Sequence, residues 1–335
     1  MTDPPSMPER YRLQTYVLPQ PPEPGEGLRL ALWQGTGTAA TPEALEENLQ
    51  RLEQVAALAA AQQVQLLAFP ELYLSGYIVT PALARALAEP LDGPSLGRVA
   101  AAARRHGLAI ACPYPERAEV GGEERFYDAI ALFDRDGALL RNYRKTHLWG
   151  PDEKRCWSPG YLLDEEGSAF TVQPVNGVPV GLLNCYEAEF PELSRRLALE
   201  GARLILIPTA ADAWAMLSTG EHTDRPYPDV SRSLIPANAI QNDCFVAYAN
   251  RCGEETVNGR VMAAYLGNSV VAGPHGDLLV AARPEPTLLV ADCVPGDYPP
   301  LHPAATRYLD DRRPELYEPR PATSAATTAA TISPR

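Results

Sequence analysis

Three residues far apart in the chain carry groups that together would make a nucleophilic centre: Glu71, Lys145 and Cys185. A thiol with an ordinary pKa of about 8.5 is mostly protonated at neutral pH, so it needs a base before it attacks anything. A part-buried Glu71 suits that task, because burial raises a carboxyl toward the working pH. Lys145 would favour the thiolate. With a backbone N–H just after the nucleophile, it would also stabilise the oxyanion of a tetrahedral intermediate. Each residue also has an ordinary reading. Glu71 suits the free N–H groups of its own loop "ELYLSGY", and Lys145 suits a plain strand end in "YRKTH". Cys185 is open to four roles: buried filler, half of a disulfide, metal ligand or nucleophile. Spacing along the chain leaves these alternatives open.

The elements that would position the three residues share one local design, an apolar strand with a polar group at its C-terminal end. "LLAFPE" ends in Glu71, "LLRNYRK" in Lys145 and "VGLLNC" in Cys185. In open α/β sheets, ligand sites gather at such strand ends. Around them strand and helix patterns alternate. "LRLALWQ", "QLLAFP", "LAIACPY", "GVPVGLLN", "RLILIP" and "CFVAYAN" read as strands, and "FYDAIALFD" with "GALLRNYRK" reads as a hairpin around "DRDG". The stretch beginning "TPEALEENLQRL" reads as a helix capped by Thr41, with Pro42 at its first position and Leu45, Leu49 and Leu52 on one face. Helices are also expected over "SLGRVAAAARRHG", "PELSRRLALEG" and residues 231–242. "LGNSVVAGPHGDLLVAA" and "PTLLVADCV" finish the chain as strands. This alternation predicts an α/β fold with helices covering sheets.

The totals narrow the function classes. A chain of 335 residues with 45% hydrophobic content suits one large domain with a sizeable core. No stretch approaches the roughly 20 apolar residues of a membrane span. "MTDPPSMPER" lacks a basic region followed by an apolar run, which points to the cytoplasm. A net charge of −13 disfavours nucleic acid and anionic membranes, which need basic clusters. The six cysteines, Cys112, Cys156, Cys185, Cys244, Cys252 and Cys293, are scattered without a paired spacing, so neither a disulfide scaffold nor a zinc site is indicated. Proline-rich residues 1–26 read as an extended or disordered arm, 27–315 as the folded domain, and 316–335 as a disordered tail.

Three long blocks in order make the chain similar to the nitrilase superfamily of carbon–nitrogen hydrolases. They are "LLAFPELYLSGY", "YRKTHLWGPDEKRCWSPG" and "GLLNCYEAEFPELSRRLALEGARLILIPTA". The resemblance covers nearly all of residues 28–300. It implies that Glu71 is the general base, Lys145 the catalytic lysine and Cys185 the nucleophile. Glu153, just before "KRCWSPG", stands where many relatives carry a second glutamate that orients the lysine and the substrate. Tyr77 and Tyr73 follow the base closely and are candidates for pocket or core. Tyr186 carries the N–H next to the nucleophile. Asp212 and Trp214 sit where relatives place substrate-facing residues. Glu187 and Glu189 suit loop or interface roles, and a Cys–His pairing with His147 lacks an evident orienting residue. Three positions depart from the usual pattern: Asn184 replaces an aliphatic residue, Asp128 an asparagine, and Ala211 a frequent asparagine.

The fold implied is a four-layer α-β-β-α sandwich, in a family whose members usually form dimers or larger homo-oligomers. The reaction implied is cysteine-dependent hydrolysis of a small-molecule amide without metal or organic cofactor. "CYE" is similar to amidases and N-carbamoyl hydrolases more than to nitrilases, which usually carry tryptophan after the cysteine. The opening residues, "FPELYLSGY" and "YANRCGEE" resemble bacterial aminovaleramide and stereoselective amidases. An N-carbamoyl hydrolase, a nitrilase and a silent binding protein of the same fold are the competing expectations.

Overall fold

The computed structural model describes residues 11–317, apart from residues 38, 40, 78, 79 and 258. Four apolar runs form strands buried on both faces: Leu28–Gln34, Leu204–Pro208, Phe245–Ala249 and Thr287–Cys293. Continuous apolar runs of this kind belong inside sheets covered on both sides. The strands build two large mixed sheets. One runs in the order Arg12–Tyr16, Thr287–Cys293, Leu28–Gln34, Leu66–Ala68, Ala109–Val120, Glu123–Phe133, Leu139–Arg144. The other runs Leu278–Ala281, Val270–Ala272, Phe245–Ala249, Leu204–Pro208, Val178–Leu182, Gln173–Val175.

Three apolar clusters define the layering. Leu30, Leu32 and Leu66 of the first sheet meet Val180, Leu206 and Ala247 of the second. The outer face of the first sheet packs on the helices Pro42–Ala61 and Pro94–His106 through Leu52, Val55, Leu96 and Val99. The outer face of the second packs on Pro191–Leu199 and Leu234–Asn242 through Leu197, Ile235 and Ala239. The result is the helix–sheet–sheet–helix sandwich. The helix boundaries follow local chemistry. Thr41 Oγ1 accepts from Ala44 N at 3.2 Å, and Gly107 ends the second helix in the left-handed conformation at φ 67°.

Three parts of the fold go beyond the sequence reading. Residues Arg12–Tyr16 of the proline-rich arm are an edge strand paired in parallel with Thr287–Ala291. A buried ion pair anchors this segment: Arg29 Nε lies 2.8 Å from Asp292 Oδ1, and Leu18 bonds to both residues. Residues 1–10 and 318–335 lie outside the described residues, and 314–317 form a short helix. The strand from Ala109 runs on to Val120 through Pro113 and Pro115. Both prolines turn toward a loop, where their carbonyls accept from Leu74 and Glu89, so no ladder donor is missing. Finally, Asp212–Ala215, Arg260–Leu266 and Cys252–Val257 form a small third sheet. Among the described residues no helix is long and apolar enough to cross a membrane.

Candidate active site

The C-terminal ends of three strands converge on one buried cluster. Glu71 follows the strand Leu66–Ala68 in a tight turn whose next residue, Leu72, is left-handed at φ 46°. That turn is gripped by Arg251, a fully buried arginine. Its Nη2 donates to the carbonyls of Glu71 and Leu72, both at 2.7 Å, and its Nε donates to Glu71 O at 3.1 Å. Asn48 holds the far end of the turn by donating to Leu74 O at 2.9 Å.

Lys145 follows the strand Leu139–Arg144 and continues its pairing, since Lys145 N donates to Asp128 O at 2.9 Å. Gly160, which closes the "SPG" motif, donates to Lys145 O at 2.9 Å. A Cβ at Gly160 would stand 2.6 Å from Arg144 Cβ, so only glycine allows this approach.

Cys185 follows the strand Val178–Leu182 and heads a short 3-10 turn, Cys185–Glu189, that leads into the helix Pro191–Leu199. Its φ is 51°, a conformation that costs a non-glycine residue about 1–3 kcal/mol and that recurs at functional sites. The turn starts at Asn184, leaving the N–H groups of Cys185 and Tyr186 without intrahelical acceptors. Glu187 fixes this turn to the lysine strand. Its carboxylate accepts from Asn184 N at 2.7 Å, Thr146 N at 2.6 Å and Tyr143 OH at 2.7 Å.

Within the cluster, Lys145 Nζ donates to Glu71 Oε1 at 2.6 Å and to Glu153 Oε1 at 2.8 Å, and lies 3.8 Å from Asp128 Oδ2. Glu71, Lys145 and Asp128 are 0% exposed, and Glu153 and Cys185 are 5% exposed. Glu153 comes from the helix Gly150–Cys156, where its Oε2 accepts from Trp149 N at 2.7 Å. Its Oε1 also accepts from Tyr77 OH at 2.7 Å. Carboxylate oxygens of Glu71, Asp128 and Glu153 lie within 4.8 Å of one another, and the cation they share is the Lys145 ammonium.

The electrostatics follow from burial and this crowding. Burial lowers the Lys145 affinity for protons, but Glu153, Glu71, Cys185 and Asp128 outweigh it and hold the ammonium well above the usual lysine range. Burial raises Glu153 despite Lys145. Burial and Glu71 raise the Cys185 thiol well above its usual value, against the opposing pull of Lys145 and the Ala210 N–H. Lys145 favours the thiolate, as the sequence reading expected, but burial and Glu71 outweigh it, so the free site holds a thiol. The lysine is already shared among carboxylates, so its field at sulfur is offset.

The remaining candidates separate. Tyr77 joins the cluster, while Tyr73 packs on Phe69 in the core with centroids 4.5 Å apart. Asp212 lines a cavity of about 150 Å³ together with Tyr77, Glu153 and Trp157. It also lines an adjoining one of about 590 Å³ with Trp149, Glu221 and Tyr227. Cys185 lines neither cavity. Trp214 lines neither cavity and stacks, with centroids 4.9 Å apart, on His222, which lines the larger one. The cause is a β-bulge between Asp212 and Trp214, which breaks the alternation that would put both on one face. The Tyr186 ring packs on Phe190, and its N–H follows the nucleophile in the 3-10 turn. His147 pairs with Thr146 Oγ1 and packs on Phe190, away from any catalytic pairing with Cys185. Glu189 accepts from Tyr227 OH. Arg251 was missed by sequence reasoning. Its only signal was a charged residue directly after the apolar strand Phe245–Ala249 and Asn250.

Residues 29–301 match the family model described as Carbon-nitrogen hydrolase. The chain is 40% identical over 294 residues to the "Hydrolase in pqqF 5'region" of Pseudomonas protegens, covering 87% of this chain and 91% of the relative. It is 37% identical over 235 residues to an (R)-stereoselective amidase of Pseudomonas sp., covering 70% and 74%. A crystal structure of an amidase from Nesterenkonia sp. superposes with a TM-score of 0.65 at 32% identity, covering 88% of this chain and 96% of that one. Mutants of the Nesterenkonia sp. AN1 amidase were solved in complex with butyramide and with the acetamide moiety of fluoroacetamide added at the active site cysteine.

Proposed function

The chain belongs to the carbon–nitrogen hydrolase family of the nitrilase superfamily, and from that membership we propose that it hydrolyses a small aliphatic or ω-amino primary amide to the acid and ammonia. The observation that carries this reading is the Lys145 ammonium held between Glu71 and Glu153 in the same buried cluster that acts electrostatically on the Cys185 thiol.

Glu71 takes the thiol proton as Cys185 sulfur attacks the amide carbonyl. The raised thiol pKa makes transfer and attack a single event rather than a standing thiolate. The oxyanion is met by the Lys145 ammonium and the Tyr186 N–H, donors fixed before the substrate arrives. Glu71 passes its proton to the departing ammonia, leaving a thioester on Cys185. Glu71 then activates water, and the acid leaves. Glu153 keeps Lys145 aimed and offers an acceptor to the amide NH₂, with Tyr77 holding Glu153 in place.

The substrate class rests on the cavity. Asp212 is 4% exposed at its wall and forms no ion pair among the described residues. Such a carboxyl suits an ammonium at the far end of an ω-amino amide. The apolar part of the wall, Trp157, Ala215 and Met216, suits an alkyl chain. Named relatives acting on amides support the amide over the nitrile. An association of copies, as the resemblance implies, remains part of this proposal and would be read by light scattering.

The test is ammonia release from aliphatic amides, ω-amino amides, N-carbamoyl amines and nitriles, with Cys185→Ala beside the wild type. Amide turnover that vanishes in the variant supports the reading. Turnover of nitriles or N-carbamoyl amines alone would refute it.

A further inference from the structure

Around Lys145 the donors and acceptors do not balance. Three carboxyl groups share one ammonium in a site closed to water. With all three ionised, the cluster would carry two uncompensated negative charges, which a buried site tolerates poorly. Both oxygens of Glu153 have donors, Lys145 and Tyr77 on one and Trp149 on the other. Glu71 Oε1 is supplied by Lys145, and Asp128 Oδ1 by Asn184 Nδ2 at 2.9 Å. Two buried carboxyl oxygens of the three groups remain without a hydrogen-bond partner: Glu71 Oε2 and Asp128 Oδ2. Lys145 Nζ, at 3.8 Å, is too far to donate to the latter. One proton between these two carboxyl groups would satisfy both oxygens and remove one charge.

We propose that this proton resides on Asp128, a neutral carboxylic acid that donates from Oδ2 to Glu71 Oε2 while its Oδ1 accepts from Asn184. The choice between the two carboxyls rests on the reading above, because Glu71 must be ionised to take the thiol proton. The groups facing Asp128 are Glu71, Lys145, Glu153 and Asn184, from four separate elements. Burial first, and then the Glu71 charge, raise Asp128 well above the carboxylate range, against the pull of Lys145. Asp128 is thus a positioning residue. It aims Oε2 of the base, the oxygen that Lys145 does not hold, and it bonds Asn184, the residue directly before Cys185. Asp128 and Asn184, two departures from the family pattern, are one hydrogen-bonded pair.

The experiment compares Asp128→Asn, Asp128→Ala and wild type by kcat, KM and pH–rate profile. Infrared difference spectra of wild type minus Asp128→Asn are taken at neutral pH, in both the native and Glu71→Gln backgrounds. Asparagine keeps one acceptor and gains a permanent donor, so Asp128→Asn should retain kcat within a few-fold and leave the acid limb unmoved. Asp128→Ala should lose about 100-fold in kcat with little change in KM, the typical result of a misplaced catalytic group. A protonated-carboxyl band should vanish in Asp128→Asn and persist in the Glu71→Gln background. Loss of kcat in Asp128→Asn equal to that in Asp128→Ala, or wild-type kcat in both, would overturn the proposal. So would absence of the band. The infrared readout needs no turnover, so it decides even if Asp128→Ala fails to fold, and a band without amidase activity would indict the reaction rather than the proton.

Discussion

Lys145 Nζ sits 2.6 Å from Glu71 Oε1, and both side chains are sealed from solvent. The pair couples the proposed base to the oxyanion donor, and neither group is tolerable without the other. Replacing Lys145 by methionine leaves Glu71 and Glu153 buried without their cation, which should cost about 3–5 kcal/mol of stability. Urea denaturation of Lys145→Met beside Lys154→Met, an exposed control on the neighbouring helix, checks this. Equal midpoints would show that the cluster does not need its cation.

Burial and Glu71 hold Cys185 as a thiol. The ultraviolet thiolate signal, taken as wild type minus Cys185→Ala, should therefore be absent through neutral pH. It should rise only above the ordinary thiol value of about 8.5. A titration step below neutrality would mean a standing thiolate.

Arg251 clamps two carbonyls of the Glu71 turn through one planar fork. Lysine cannot reproduce that fork. Arg251→Lys should lower kcat by about 10–100-fold with a smaller effect on KM, because the base is misplaced rather than removed. Steady-state kinetics with a melting curve separates this from simple unfolding.

Asp128 has its proton affinity raised in the folded state. Its contribution to stability is therefore fully present below the unfolded value, about 3.9, and declines as pH rises toward the raised folded value. Asp128→Asn lacks this term, so its stability relative to wild type should grow as pH increases from about 4 upward. Parallel pH-dependent difference curves with no divergence would contradict the assignment.

Asp212 lines the cavity without an ion-pair partner among the described residues. Asp212→Asn should raise KM for ω-amino amides by about tenfold while leaving simple aliphatic amides little changed, the loss expected for a partly desolvated charge pair. Equal effects on both substrates would remove the cationic subsite.

Much of this architecture was legible in the chain because strand ends announce themselves. The buried strands Leu28–Gln34, Leu204–Pro208 and Phe245–Ala249 read as apolar runs, and the strand ends before Glu71, Lys145 and Cys185 read as one repeated design. Contacts that depend on distant pairing were not legible. The Arg12–Tyr16 strand finds its partner only at Thr287–Ala291, near the other end of the chain. The bulge that turns Trp214 onto His222 has no local mark, and the grip of Arg251 spans 180 residues. The raised thiol likewise depends on how deeply Cys185 is buried and on the Glu71 carboxylate beside it, which only the folded arrangement provides.

The central claim is that Cys185 is the nucleophile that the Glu71–Lys145 pair serves. The most direct measurement is peptide-mapped mass spectrometry after exposure of the Glu71→Gln variant, in which turnover of the amide is blocked, to fluoroacetamide. The account predicts one acetamide adduct, on the peptide carrying Cys185, with the other five cysteines unmodified. An unmodified Cys185, or an adduct spread without preference over Cys112, Cys156, Cys244, Cys252 and Cys293, would contradict it.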